Sequence, residues 1–236
     1  MIYEMNMQVQ PQQRDDQGKL KMSALLYFAQ EAAGAHAATL GAGWDELQEK
    51  NLFWAVIRTR VEVEDTVCGD EITLKTWPMP TSRTAYPRCV MGYDGDRLLF
   101  KLVSLWVLMD TRTRAMVLPG KSGVEVIGTV VGNEPAMPKG LPVTDQEETV
   151  FKTVSQEHLD QNGHMNNTRY MDWVMEFAPE KTVKSFELCY FNEGRLQDEM
   201  ELGCTKTADT LCVNIHRQRT DDASVKDRIF AAAVQF

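Results

Sequence analysis

The chain repeats itself once, and that repeat limits its fold more than any other feature. At an offset of 145 residues (160 less 15), Arg14-Asp15-Asp16-Gln17-Gly18-Lys19-Leu20-Lys21-Met22-Ser23 falls on Leu159-Asp160-Gln161-Asn162-Gly163-His164-Met165-Asn166-Asn167-Thr168. Asp15 meets Asp160, Gly18 meets Gly163 and Ser23 meets Thr168. The register then runs on without a gap, with Leu25 on Tyr170, Leu26 on Met171, Phe28 on Trp173, Ala29 on Val174, Glu31 on Glu176 and Ala33 on Ala178. Similarity of this kind at the head of each half marks one module present twice. A chain of 236 residues has room for two such modules of roughly 100 residues each.

Each copy starts the same way. A polar turn precedes a helix, and antiparallel strands follow. Residues 22–40 carry Leu25, Phe28, Ala29, Ala32, His36 and Leu40 on one helical face, in an alanine-rich segment that a sheet can approach closely. His36 on that face reads as a packed core histidine, since no metal-ligand partner lies near it in sequence. Gly41 and Gly43 end the helix, and a turn through Trp44-Asp45-Glu46-Leu47 leads to strands. Residues 57–63 alternate Ile, Thr, Val, Val with Arg, Arg and Glu, as a half-buried strand does. Further strands are expected over 71–77, 85–93 and 98–109, the last apolar on both faces and therefore central, with a turn at Asp94-Gly95-Asp96. Residues 120–149 read as a connecting stretch with room for one short helix. The second half repeats the plan: a strand at 151–154, a helix with Tyr170, Trp173, Val174 and Phe177 at i, i+3, i+4, i+7, then strands at 184–191, 199–205, 211–217 and 229–236. The expected fold is α+β, a tandem (double) hotdog in which each half is a long central helix wrapped by an antiparallel sheet. The expected boundaries are 1–130 for the first hotdog, 131–148 for the linker and 149–236 for the second.

The two copies differ where chemistry could occur. The second has Asn162 and His164 where the first has Gln17 and Lys19. Asp160, Asn162 and His164 stand at alternate positions, which in an extended segment share one side. They precede a helix whose cap position is held by Asn166 and Asn167. A carboxylate, an amide and an imidazole converging on a helix start could polarise a carbonyl and move a proton. A structural turn alone gives no reason for the trio to be complete in one half only.

Composition removes several classes of function. The formal net charge of −9 argues against a general nucleic-acid surface. No apolar run is long enough to span a bilayer, so no membrane association is expected. Residues 1–16, MIYEMNMQVQPQQRDD, show no basic region followed by an apolar stretch, so no secretory leader is expected. Cys68, Cys89, Cys189, Cys204 and Cys212 are odd in number and lack a CxxC pair. They read as free thiols in a reducing compartment, the cytoplasm, and not as a metal site. No cofactor signature is present.

The segment Leu159-Asp160-Gln161-Asn162-Gly163-His164-Met165-Asn166-Asn167-Thr168-Arg169-Tyr170 resembles the Leu-Asp-x-Asn-x-His-(hydrophobic)-Asn-Asn-x-x-Tyr signature of the acyl-acyl carrier protein thioesterases, both the plant plastid type and its bacterial relatives. The resemblance covers nearly the whole chain. That family carries a Glu after a tyrosine-led segment, and Tyr190-Phe191-Asn192-Glu193 fits it, which adds Glu193 to Asp160, Asn162 and His164 as site residues. One departure stands out: plant members have Cys directly after that Glu, whereas here the residue is Gly194, so a thiol nucleophile at that position is excluded. Cys189 lies four residues earlier, at the same strand parity as Glu193, and reads as a buried structural cysteine.

What the resemblance implies is hydrolysis of acyl-acyl carrier protein to free fatty acid, ending fatty acid synthesis, with no cofactor or metal. Water attacks a thioester carbonyl held at the helix start. Glu193 and His164 activate the water, Asn162 holds the carbonyl or the water, and Asp160 orients its neighbours. Which of Glu193 and His164 takes the proton, and whether a carboxylate forms a covalent intermediate, stays open at this point. The first half would bind the acyl chain. The implied partner is acyl carrier protein with its phosphopantetheine-linked acyl chain, for whose acidic surface exposed Arg83, Arg88, Arg112 and Arg114 are candidates. Two hotdogs in one chain suit a monomer or a homodimer. The competing readings are a hotdog acyl-CoA thioesterase or hydratase, and, from another class, a non-catalytic acyl-binding module.

Overall fold

The structure, a computed structural model, describes residues 1–160, 162–219 and 225–236. It divides into two compact units, Met1–Pro138 and Lys139–Phe236.

The first unit begins with β1 (Tyr3–Gln8) and α1 (Met22–Thr39). Helix α1 has no side-chain cap at its start, so there it depends on packing. Leu25, Phe28 and Ala32 are completely buried, and α1 packs on the sheet. Burying side chains of the Leu and Phe class stabilises by about 1.5–3 kcal/mol each. The helix closes after Leu40 with bonds from Gly41 N to Ala38 O (3.2 Å) and Ala42 N to Ala37 O (3.0 Å), the paired pattern of a Schellman end. Residues 44–47, expected as a turn, form the start of a second helix, α2 (Trp44–Glu49). Asp45 and Glu46 suit its positive N-terminal end, and Leu47 is buried beneath it.

The strands that follow are β2 (Leu52–Val63), β3 (Glu71–Pro78), β4 (Tyr86–Asp94), β5 (Arg97–Asp110) and β6 (Met116–Val117), then a short α3 (Pro119–Ser122). Strand β2 begins five residues before its alternating run. A register shift between Val56 and Arg58 breaks the period-two pattern and hides its first half. The antiparallel order is β1-β3-β4-β5-β2, with β6 on β5. Strand β5, apolar on both parities, lies inside the sheet between β4 and β2 as expected. The face of the sheet away from α1 is also covered. Trp77, Met79, Cys89, Met91 and Val103 form an apolar cluster. Thr129 and Glu134 tie the following segment to it, through Thr129 N to Pro78 O (2.8 Å) and Trp77 Nε1 to Glu134 Oε1 (3.1 Å).

The second unit holds β7 (Glu148–Thr153), α4 (Arg169–Met175), β8 (Ser185–Tyr190), β9 (Glu199–Lys206), β10 (Thr210–Gln218) and β11 (Lys226–Gln235), in the antiparallel order β8-β11-β10-β9-β7. Helix α4 is seven residues long, against eighteen in α1. The expected apolar face is there, since Tyr170, Met171, Trp173 and Val174 are buried. The helix ends early, however. Phe177 N and Ala178 N bond three residues back, to Val174 O and Met175 O, and Pro179 cannot continue the ladder. Tyr170 stacks on Phe230 of β11 with centroids 4.9 Å apart. The start of this unit is no free spacer. Arg228 donates to Leu141 O (3.0 Å) and Pro142 O (2.8 Å), Asn214 Nδ2 to Thr144 Oγ1 (3.0 Å), and Lys139 N to Glu187 Oε2 (2.8 Å), so residues 139–144 are tied across the strands.

His36 is buried, as expected for a packed residue. Its Nδ1 lies 3.0 Å from Arg88 Nη1, and its ring stacks on Tyr3. An arginine is always a donor, so Nδ1 accepts and the imidazole is neutral. Burial first, and then the Arg88 charge, lower its pKa from 6.5 to about 4. The unfolded chain therefore binds a proton that the folded chain refuses between those values. His36's contribution is fully present above about pH 6.5 and is lost as pH falls to about 4, by up to about 3 kcal/mol. Denaturant unfolding from pH 7 to 4 should show this loss in the parent chain and a smaller loss in His36→Gln.

Candidate active site

The polar run after β7 is not an extended strand. It is a tight closed turn. Asp160 N donates to His164 O (2.8 Å), Gly163 N donates to Asp160 O (3.1 Å), and Leu159 bridges Met165. The Asp160 carboxylate closes the loop from inside, with Oδ1 accepting from Asn162 N (2.8 Å) and His164 N (3.2 Å). Gly163 takes a φ of +77°, which costs a residue with a side chain far more than a glycine. Asp160, Asn162 and His164 therefore do not line one side of a strand. Asp160 points into the turn that carries the other two. Gln161 lies outside the described residues.

The first unit builds the same turn. Asp15 Oδ1 accepts from Gln17 N and Lys19 N, both at 2.9 Å. Asp15 N donates to Lys19 O (2.8 Å), Arg14 bridges Leu20, and Gly18 takes a φ of +75°. The repeat seen in sequence is thus a repeat of hydrogen bonds. The shared Asp and Gly build the scaffold, and the residues that differ, Asn162 and His164, are what the scaffold displays.

His164 is brought to Glu193 by backbone pairing. Past the end of β8, residues 193–195 run beside the turn, with Met165 N donating to Gly194 O (2.8 Å) and His164 bridging Arg195. This sets His164 Nε2 3.2 Å from Glu193 Oε2, with both side chains partly accessible, 25% and 35% exposed. Asn162 is exposed at the tip of the turn. Its carboxamide makes no hydrogen bond to another described residue, so the structure pairs His164 with Glu193 and does not bring Asn162 into that pair.

Two further residues support the pair in roles that were not read from the sequence. Arg217, on β10, donates from Nη1 to Glu193 O (3.2 Å) and pairs with Asp198 and Asp227. Its partners are distant in the chain, and no local spacing announces them. Tyr170 is the other. Gly194 N donates to its hydroxyl (3.1 Å), and burial pushes the phenol well above its usual range. The contact also explains why position 194 is glycine. A Cβ there would lie 2.7 Å from Tyr170 Oη and 2.8 Å from Met200 Cε. Cys189 is buried on β8, with Sγ 3.5 Å from Lys139 O, and stands apart from the His164 pair as a structural residue.

The helix start is more occupied than expected. Asn166 Oδ1 accepts from Thr168 N (3.0 Å) and Thr168 Oγ1 (2.9 Å), so Asn166 closes a turn and Thr168 takes the cap position. The amides of Asn166, Arg169 and Met171 donate to His158 O, Asn166 O and Thr168 O. Those four amides are therefore not free to receive an oxyanion. Among the described residues no three His, Cys, Asp or Glu side chains are grouped as metal ligands, and no helix is long and apolar enough to cross a membrane.

The family description "Acyl-ACP thioesterase N-terminal domain" matches residues 1–118, and "Acyl-ACP thioesterase C-terminal domain" matches residues 142–229. The chain belongs to the acyl-ACP thioesterase family. Its relatives include a protein named dodecanoyl-[acyl-carrier-protein] hydrolase, chloroplastic, from Cinnamomum camphora, 28% identical over 185 residues, which are 71% of this chain and 48% of the relative. Palmitoyl-acyl carrier protein thioesterase, chloroplastic, from Gossypium hirsutum is 27% identical over 80% of this chain and 50% of its own length. The chain spans about half the length of these relatives. In fold it is similar to an acyl-ACP thioesterase from Bacteroides thetaiotaomicron, with a TM-score of 0.83 and 23% identity, over 100% of this chain and 97% of that one. It is likewise similar to the 12:0-ACP thioesterase from Umbellularia californica, with a TM-score of 0.79 and 21% identity, over 99% and 96%. The tandem hotdog class expected from the repeat is the fold of this family.

The paired turns separate scaffold from chemistry. Asp15→Ala and Asp160→Ala each remove one acceptor of two backbone amides, and each should lower stability by about 1–2 kcal/mol in denaturant unfolding. Only Asp160→Ala should also displace His164 and lower turnover.

Proposed function

We propose that the chain hydrolyses the thioester of fatty acyl chains carried on acyl carrier protein, releasing free fatty acid and ending fatty acid synthesis. The observation that carries this reading is the 3.2 Å approach of His164 Nε2 to Glu193 Oε2. It occurs in the half whose turn displays Asn162 and His164, in a chain of the acyl-ACP thioesterase family.

A neutral imidazole that donates Nε2–H to Glu193 keeps its lone pair on Nδ1. His164 Nδ1 then takes a proton from water as the water oxygen bonds to the thioester carbonyl carbon. Glu193 fixes that tautomer and stabilises the imidazolium that forms. The Asn162 carboxamide donates to the carbonyl oxygen as negative charge grows there. Collapse of the intermediate breaks the C–S bond, and the proton held by His164 passes to the departing thiolate. A thiolate leaves readily, its thiol having a pKa of about 8.5, so the site needs little further acid. Asp160 acts as a positioning residue, through the amides of Asn162 and His164.

The first unit, with Gln17 and Lys19 where the second has Asn162 and His164, serves to bind the acyl chain and set its length. The partner is acyl carrier protein. Arg83, Arg112 and Arg114 are exposed and remain candidates to meet its acidic surface, whereas Arg88 is buried and does not. The working compartment proposed is the cytoplasm, with the protein acting as monomer or homodimer.

Thiol release from acyl-acyl carrier protein across chain lengths, beside the matching acyl-CoA, tests the reading. Release should favour the carrier protein. His164→Ala should lower kcat by about 10²–10⁴-fold, the usual worth of a positioned acid or base, and Glu193→Gln should lower it substantially. Faster release from acyl-CoA would reassign the substrate. Near-full turnover in Glu193→Gln would remove Glu193 from the mechanism, and acyl binding without release from either donor would make the chain a binding module.

A further inference from the structure

Arg88 lies on β4 with 7% of its surface exposed. A guanidinium stays protonated at neutral pH, so burial cannot be relieved by losing the charge. Buried charges in proteins are ordinarily paired with an opposite one. No carboxylate among the described residues pairs with Arg88. Its side-chain partners are His36 Nδ1 at 3.0 Å and Thr76 Oγ1 at 3.2 Å, both on Nη1 and both neutral. Thr76 gives its own hydroxyl proton to Cys89 O (2.9 Å). Burial brings the guanidinium pKa down to about 10, with no acidic neighbour raising it.

The contacts on Nη1 leave the Nε and Nη2 donors of Arg88 without a bond. These atoms are not sealed in. Among the described residues the side-chain nitrogen or oxygen that is both sealed and without a partner is Arg228 Nε. The Nε–Nη2 edge of Arg88 therefore meets accessible space, on the face of the sheet that carries α1 and His36. The row continues across the sheet: Arg88 stands opposite Ser104 of β5, and Ser104 opposite Thr59 of β2. Directly opposed residues share a face. Both hydroxyl residues are buried, at 4% and 3% exposure. Ser104 Oγ accepts from Trp106 Nε1 (2.7 Å), which leaves its own proton to donate. Thr59 has no side-chain partner and, like Arg88, is not sealed.

We propose that this row, in the first unit, is a carboxylate-binding site, with the two oxygens of the ligand along the Nε–Nη2 edge of Arg88 and the hydroxyls of Ser104 and Thr59 beside them. The groups available are all able to donate, and the charge on the row itself is the Arg88 guanidinium, His36 being neutral and the Met1 amino group acting on the far side through His36. A monoanion with two coplanar oxygens matches both facts and forms the bidentate pair that a guanidinium favours. The ligand is a monocarboxylate, borne either by a small acid or by a fatty acid whose tail follows the apolar interior.

The test is independent of turnover, so it stands whether or not the chain hydrolyses acyl thioesters. The whole protein is titrated with sodium acetate and separately with sodium octanoate, each against chloride at constant ionic strength, while the Arg88 Nε–Hε resonance is followed by NMR. A saturable shift of that resonance is expected. Saturation by acetate as readily as by octanoate assigns a small acid, and saturation at least tenfold tighter by octanoate assigns a fatty acid. Arg88→Lys keeps the charge and loses the two-donor edge, so affinity, read calorimetrically, should fall at least tenfold. If that variant fails to fold, Ser104→Ala should weaken binding severalfold with Arg88 intact. No saturable shift with either acid, or unchanged affinity in the folded variant, overturns the site.

Discussion

One carboxylate oxygen sets up the site. Asp160 Oδ1 accepts the amides of Asn162 and His164 and so forces a polar run to fold into a closed turn. Without that acceptor two backbone donors would lose their partner, and the turn that carries the imidazole would lose its internal closure. The closed turn then pairs with residues 193–195, and that pairing determines the distance between His164 and Glu193. The approach of His164 to Glu193 thus rests on backbone hydrogen bonds. Gly194 belongs to the same construction, since its amide bonds the Tyr170 hydroxyl at a point where a side chain would collide with it.

The two units show how one scaffold can serve two ends. Asp15 and Asp160 make the same pair of bonds, and Gly18 and Gly163 the same left-handed corner. Only the displayed side chains change. The helices that follow diverge as well: α1 runs for eighteen residues, whereas α4 stops after seven. The first unit instead places its unusual polar chemistry on the sheet, where Arg88, Ser104 and Thr59 stand opposite one another in one row and Arg88 meets His36 of α1.

Much of this was legible in the sequence, for physical reasons that also explain the failures. Period-two alternation and the apolar run 98–109 located the strands, and the 145-residue offset revealed the duplication. The start of β2 was hidden because a bulge at Val56–Arg58 breaks the alternation. The short α4 was hidden because its apolar spacing continues past the point where the backbone stops being helical. At the site, residue types were readable while their arrangement was not. Alternate positions suggested a shared strand face, but the Asp160 side chain competes for the backbone and makes a turn instead. Arg88 was expected outside because arginine usually is, and only tertiary contacts reveal a buried one. Arg217 reaches Glu193 from another strand, a link that local spacing cannot carry.

His164 and Glu193 are proposed to act as one unit. A double-mutant cycle on kcat/KM with acyl-acyl carrier protein, using His164→Ala, Glu193→Gln and the pair together, measures this directly. If Glu193 works through the imidazole, removing it from a chain that already lacks His164 should cost little more, and the double variant should match His164→Ala within a few-fold. Fully multiplicative losses would mean that the two side chains act independently, and the 3.2 Å contact between them would then carry no catalytic meaning.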